Sequence, residues 1–353
     1  MWNLCARIVA TFLLVVSATA QISPTTSQEL IKRAEAADPQ AQFELGRAYE
    51  EGKGVTQDDD RAAEWFRKSA DQGNAQAQNS LGVMYAQGRG VQGDREEAIR
   101  WYRKAAKQGL PEAIYNIAIS YYNGEGVEAN LNDAATWMMV ASRRGDAQAT
   151  EALKQIRQEL HQGMEISNYQ LAQLYNKGDE IPQDLPAAAS LYRELAEEKD
   201  GMWYNSGSRY QLCEMYSAGK GVTQDYHQAK SWCKKSQAAL SYMVLGHMAE
   251  QGLGQSKNLR EALDYYKQAA LGRVPEGYMD TVRLELASGA HDAQKNAYFW
   301  YLIAAKQNVP GAEEKMPEVA AHLTGKEVIK QQKQATAWLA MPVWEQFNNL
   351  KKH

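Results

Sequence analysis

The sequence is poor in the residues and motifs that most often carry chemistry. Its three cysteines form no Cys-x-x-Cys pair, and its six histidines are scattered, with no His-Glu-x-x-His. Gly-x-Ser-x-Gly and a phosphate-binding glycine loop are missing too, so the common signatures of hydrolases, zinc enzymes and nucleotide-binding proteins are not there. No cofactor is expected, and a metal site would need histidines brought together only by folding. Charge of one sign is not in excess: 39 basic residues face 43 acidic ones, a formal charge of −4. That balance argues against nucleic-acid binding by bulk charge. Past the first 20 residues no stretch is apolar enough to span a bilayer.

Those first residues read as a signal peptide. Arg7 supplies a positive start, Ile8 to Val16 form a short apolar run, and Ala18-Thr19-Ala20 offers small residues for cleavage after Ala20. The run is about half of the roughly 20 residues that a spanning helix needs, so a retained anchor is the weaker alternative. An exported protein, periplasmic or secreted, is expected, with no stable membrane span after cleavage. Cys5 leaves with the leader, and Cys213 and Cys233 remain. An even pair in an exported chain suggests a disulfide. The alternative is two buried thiols packing as small hydrophobes.

What the sequence has in abundance is internal repetition. Trp65, Trp101 and Trp137 are spaced 36 apart, as are Tyr49, Tyr85 and Tyr121 and the pairs Gly52/Gly54, Gly88/Gly90 and Gly124/Gly126. This period predicts stacked helix pairs. In the cleanest unit, Asn74 to Gly109, Asn74 is an N-cap and Leu81, Met84 and Tyr85 share one helical face. Gly82 removes a side chain where a second helix must come close. Gly88 and Gly90 turn the chain, Asp94 caps the second helix, and Ala98, Trp101, Tyr102 and Ala105 form its inner face. The cap position recurs as Asp58, Asn130, Asp184, Asp225 and Asn258, which gives the run Asp58-Asp59-Asp60 a structural reading rather than a cation-binding one.

The expected fold is all-α: a right-handed α-solenoid of about seven helical hairpins, with a mid-array break and a C-terminal helical cap. Residues 21–37 form a lead-in helix and 38–145 hold repeats one to three. The register then slips by half a repeat, so residues 146–165 are expected to hold an extra helix and a kink. Residues 166–309 hold looser repeats four to seven; the first helix of the seventh is degenerate, and Asp292 sits one place off the cap position. Residues 310–353 are expected to cap the open apolar end, with Trp338 and Trp344 packing there or forming a dimer patch.

The second unit resembles the Sel-1-like repeat family, a branch of the tetratricopeptide superfamily. Its residues Leu81-Gly82, Tyr85, Gly88, Gly90-Val91, Asp94, Ala98, Trp101-Tyr102, Ala105-Ala106 and Gly109 match the family's hallmark. The resemblance runs from about residue 38 to 310 and departs in unit three, where Ile117-Ala118 replaces Leu-Gly, and in units four and seven. It implies a non-catalytic adaptor for a protein or peptide partner, acting in envelope signalling, surface organisation or host contact. Cysteine-rich members are linked to β-lactam binding or hydrolysis, which makes such an enzyme the alternative. The two Ser-x-x-Lys matches here, Ser217/Lys220 and Ser231/Lys234, lack the accompanying Ser-Asp-Asn and Lys-Thr-Gly.

In a hairpin solenoid the first helices line the concave face. Three residues before the helical glycine position stand Phe43, Asn79, Tyr115, Tyr169, Tyr210 and Met243. One residue after it stand Arg47, Val83, Ile119, Gln173, Glu214 and His247. The candidate partner-binding residues are Phe43, Arg47, Tyr115, Tyr122, Tyr169, Tyr210 and His247, rings with few formal charges that suit an extended peptide or a helix. The competing reading packs rings such as Phe43 and Tyr115 between first helices.

Overall fold

A computed structural model describes residues 24–160, 164–198, 203–342 and 345–346. The leader, Cys5 and Trp344 lie outside the described residues, as do 161–163 in the segment of the expected break. Among the described residues there are eighteen helices and no strand. The chain divides into two compact units after Glu159.

The first unit opens with α1 (Pro24–Glu35), followed by three hairpins: α2 (Pro39–Glu51) with α3 (Asp59–Asp71), α4 (Ala75–Gln87) with α5 (Arg95–Lys107), and α6 (Pro111–Asn123) with α7 (Leu131–Arg143). Helix α8 (Ala147–Leu160) begins 36 residues after α6 and so takes the place of a fourth first helix. Local chemistry sets these boundaries. Gly52, Gly88 and Gly124 end the first helices in the left-handed conformation, each sending its N–H back to a carbonyl of the last turn. The loop then closes with a backbone bond from the next cap to the tyrosine nine residues before it: Asp58 to Tyr49, Asp94 to Tyr85 and Asn130 to Tyr121, all 3.0 Å. Each of these cap side chains accepts an N–H of the second helix.

Two contacts join the helices. Within a hairpin, Gly46 lies against the Phe66 ring and Gly82 against Tyr102, so closely that a Cβ would meet the rings at 2.7 and 2.6 Å. Between hairpins, the second loop glycine meets the start of the preceding second helix. A Cβ at Gly90 would stand 2.0 Å from the Asp59 carbonyl oxygen, and one at Gly126 would stand 2.3 Å from that of Arg95. Buried glutamines complete the stacking. Gln42 donates to the Ala34 carbonyl and Gln78 to that of Ala70, both at 3.1 Å, satisfying the open C-terminal end of the previous helix. Gln72 and Gln108 in turn donate to their side-chain oxygens at 2.7 and 2.8 Å.

The second unit contains the hairpins α9 (Met164–Lys177) with α10 (Leu185–Glu197), α11 (Trp203–Ala218) with α12 (Tyr226–Ser236), α13 (Ala239–Gln251) with α14 (Leu259–Leu271), and α15 (Pro275–Ala287) with α16 (Ala293–Lys306). Asp184, Asp225 and Asn258 cap α10, α12 and α14, whereas Asp292 makes no cap bond and pairs with Lys295 at 2.8 Å. Cys213 on α11 and Cys233 on α12 are bonded, with their Cα atoms 4.9 Å apart, and both are fully buried. The last helices are α17 (Ala312–Ala320) and α18 (Gly325–Ala340). They cover the apolar side of α16: Val319 and Ala335 join its buried cluster, and Trp338 stands edge-on to Phe299 and Trp300 at 5.8 and 6.3 Å.

Candidate protein-binding face

The first helices carry all seven candidate residues, and the hairpin contacts decide which of them reach solvent. Phe43 does not: it is 7% exposed and its ring lies 5.8 Å from Phe66 across the hairpin. Tyr169 is 8% exposed, wedged 6.0 Å from Tyr192 and 5.1 Å from Trp203. Contrary to the expectation from sequence, both rings are buried supports and not contact residues. A ring three places before the helical small residue points into the hairpin when the second helix offers another ring there.

In the first unit the remaining candidates are open. Arg47 is exposed and pairs with Glu51 one turn on at 2.5 Å. Tyr115 is half-buried; burial, and then the nearby negative charge of Asp146, raises its phenol pKa. Tyr122 is half-buried and donates to the Glu159 carboxylate at 3.0 Å, bridging α6 and α8. Between α4 and α6, Asn116 donates to Asn79 at 2.9 Å. Val83 and Ile119, both half-buried, complete a face of rings, amides and aliphatic groups.

The second unit is more strongly tied. Tyr210 is half-buried and hydrogen-bonded to Glu214; burial first, then that carboxylate, raises its pKa. Asn176 on α9 donates to Gln211 on α11 at 3.0 Å, an amide link between successive first helices at a different repeat position from Asn79. His247 is exposed on α13, near Glu250. Arg283 on α15 grips Glu250 with two bonds of 2.7 and 2.8 Å, and the Tyr266 hydroxyl donates to it at 2.8 Å. Arg283, and to a smaller degree Tyr266, hold the Glu250 carboxyl below its usual range against the opposing cost of burial. Sequence reasoning missed three features. The amide links need two helices to be in register, the Arg283–Glu250 fork joins residues 33 apart, and Trp203, 60% exposed, stands ahead of the repeat motif.

The pairs that suggested an enzyme are placed unfavourably for one. The Ser217 hydroxyl donates to the Glu214 carbonyl at 2.9 Å, so its proton is not aimed at a base. Ser231 and Lys234 lie exposed on α12. Among the described residues no group of three or more His, Cys, Asp or Glu could hold a metal ion, and no helix is long and apolar enough to cross a membrane.

The Sel1 repeat model matches residues 39–74, 75–110, 111–146, 166–200, 206–236, 239–272 and 289–309. Among solved structures, the chain is similar to a protective antigen of uropathogenic Escherichia coli strains that displays an SLR fold. The two are 21% identical over 93% of this chain and 90% of that one, with a TM-score of 0.37. It is also similar to a Sel1 repeat protein from Oxalobacter formigenes, at 39% identity over 36% of this chain and 96% of that one, with a TM-score of 0.34. A sel1 repeat protein from Klebsiella pneumoniae subsp. pneumoniae is 20% identical over 63% of this chain and 98% of that one, with a TM-score of 0.25. No curated protein matches the sequence.

Proposed function

We propose a function from one premise: the chain belongs to the Sel1 repeat family. Proteins of this family are commonly interaction scaffolds. We read this one as a non-catalytic adaptor that takes a protein or peptide partner on its first helices, the concave side of a hairpin solenoid. The observation that carries the reading is the face on α4, α6 and α8. There the Asn79–Asn116 amide link and the Tyr122–Glu159 bond fix polar groups between neighbouring helices, beside half-exposed Tyr115, Val83 and Ile119. Side chains ordered before binding lose little freedom on association, and aromatic rings supply most of the contact energy.

We also read the protein as exported, to the periplasm or beyond the cell. The leader-like first 20 residues support this, and so does a fully buried disulfide, a bond that persists in oxidising compartments. Envelope signalling, surface organisation and host contact all fit such an adaptor.

The test is a crosslinking pull-down from native envelope with the chain from Gln21 onward, beside Tyr115→Ala/Tyr122→Ala and, separately, Tyr210→Ala. A partner captured by the parent and reduced at least about tenfold in the first variant is expected. Equal capture by parent and both variants sinks the first-helix face. A chain recovered in the cytoplasmic fraction of the native host with its N-terminus still at Met1 sinks the export reading.

A further inference from the structure

Charge is sorted between the two kinds of helix in the first unit. The second helices α3 and α5 each carry seven charged residues among 13. Of the first helices beside them, α4 has none and α6 has one, Glu112 in its first turn. What α4 and α6 expose together is layered. Asn79 and Asn116 form one layer, Val83 and Ile119 follow one turn on, and Ala86 and Tyr122 one turn after that, all half-buried. The carboxylates that border this face from the α8 side are engaged. Asp146 accepts the Ala149 N–H at 2.8 Å, Glu151 pairs with Lys154 at 2.7 Å, and Glu159 accepts from Tyr122 at 3.0 Å.

The amide link leaves a matched pair of groups unused. An asparagine side chain carries two N–H donors and one carbonyl acceptor. The 2.9 Å bond from Asn116 to Asn79 takes one donor of Asn116 and the oxygen of Asn79. The Asn79 Nδ2 and Asn116 Oδ1 atoms bond to no other described residue and are open to solvent. A donor and an acceptor thus lie side by side on neighbouring helices. One residue of an extended chain presents its own N–H and C=O along a single edge and can engage both. A helix cannot, because its main-chain groups already bond to one another, and its approach would leave the two amide atoms dry and unpaired. A charged side chain buried between α4 and α6 would meet no counter-charge in these three layers.

We propose that the α4–α6 face takes an extended, uncharged segment of the partner protein and reads its main chain. Asn79 donates to a carbonyl of the segment, and Asn116 accepts the N–H of the same residue. Side chains of an extended segment alternate in direction, so those on the inward side are apolar and rest on Val83, Ile119 and Tyr122, while the outward ones are free to vary. The site rests on the scaffold reading and adds to it the kind of chain that is held there, one picked out by main-chain hydrogen bonds rather than by charge.

The experiment selects binders to the disulfide-bonded chain, from Gln21 onward, out of a phage-displayed library of random linear peptides, with Tyr115→Ala/Tyr122→Ala as the counter-selection target. An enriched peptide is then resynthesised with a single N-methyl group placed at each residue in turn. The expected peptide carries no charge in its binding core and holds its affinity within about twofold between about 50 and about 500 mM sodium chloride. At one position N-methylation weakens binding about tenfold in the parent and less than about twofold in Asn116→Leu, a near-isosteric exchange that removes the acceptor. Circular dichroism checks that each variant is folded. Enriched peptides that are charged or helical when bound, the lack of any N-methyl-sensitive position, or an N-methyl effect undiminished in folded Asn116→Leu overturns the proposal. So does a selection in which no peptide is enriched over the counter-selection. The scaffold reading survives that last result if the pull-down still captures a partner through Tyr115 and Tyr122, because a folded domain is then what docks; failure of both experiments sinks the two readings together.

Discussion

The two units build the same hairpin by different means. In the first, residues recur at 36 and each repeat reuses the same bonds: a loop closed from Asp94 to Tyr85, a glutamine reaching back to the previous helix, a glycine under a ring. In the second the spacing loosens, and stronger individual links stand in for repetition. The clearest comparison is one pair of positions, a helical residue and the residue 20 further on that faces it. These are Gly46 with Phe66, Gly82 with Tyr102 and Gly246 with Tyr266, each a glycine under a ring. In repeat three the same positions hold Ala118 and Met138, and in repeat five they hold Cys213 and Cys233, joined covalently. Close helix approach is the constant. Glycine under an aromatic ring, alanine beside a flexible methionine and a disulfide are three ways of filling that gap.

The comparison breaks most sharply at the disulfide. Replacing it with Cys213→Ala/Cys233→Ala is expected to cost the second unit about 3 kcal/mol, since the bond closes a short loop in the unfolded chain. Hydrogen exchange should show lost protection in α11 and α12 while α2 to α7 keep theirs; an even loss across both units would mean that the units are not separate.

Next come the loop glycines of the first unit. Gly126→Ala is expected to cost about 2–3 kcal/mol, because a left-handed backbone and a clash with the Arg95 carbonyl act together. Gly145, also left-handed but with open space around it, should cost only about 1 kcal/mol as alanine. Urea midpoints compare the two, and equal losses would remove the stacking role of Gly126.

A finer test moves one repeat's solution into another. Gly82→Ala alone should cost about 2 kcal/mol by forcing the Tyr102 ring aside. Adding Tyr102→Met, the pairing of repeat three, should recover at least about 1 kcal/mol of the combined loss in a double-mutant cycle. Additive losses would show that the pairs are not interchangeable.

The smallest expected effect concerns pH at the far end. The Glu327 carboxylate caps α18 by accepting from the Thr324 backbone at 2.9 Å and its hydroxyl at 2.8 Å, and it pairs with Lys295 at 3.1 Å. Those bonds, the backbone one foremost, pull its pKa from 4.5 down to about 2. A carboxyl held low in the folded state stabilises fully above its unfolded value, and that stability is lost as pH falls from 4.5 through about 2. Amide exchange at the start of α18 should rise over that window in the parent and be flat in Glu327→Gln.

Much of the fold was legible because its signals are local. An Asp or Asn before a second helix, a glycine after a first one and a period of 36 need no knowledge of distant residues. The candidate face was legible only in outline. Phe43 and Tyr169 occupy the same helical position as Asn79, Tyr115 and Tyr210, yet they are buried, because Phe66 and Tyr192 stand across the hairpin to receive them. Asp292 shows the limit at a boundary: displaced by one place, it bonds to Lys295 instead of the helix end.

By itself, then, the sequence determined the helices, their caps and turns, and the order in which hairpins follow one another, since backbone hydrogen bonding and left-handed glycines act over a few residues. Tertiary structure alone decided which rings reach solvent and which face the core, where Asn116 meets Asn79, and that Trp203 stands exposed with its ring against Tyr169 and Tyr204. Those outcomes depend on how closely two helices approach, a distance set by pairs of side chains that lie 20 or more residues apart.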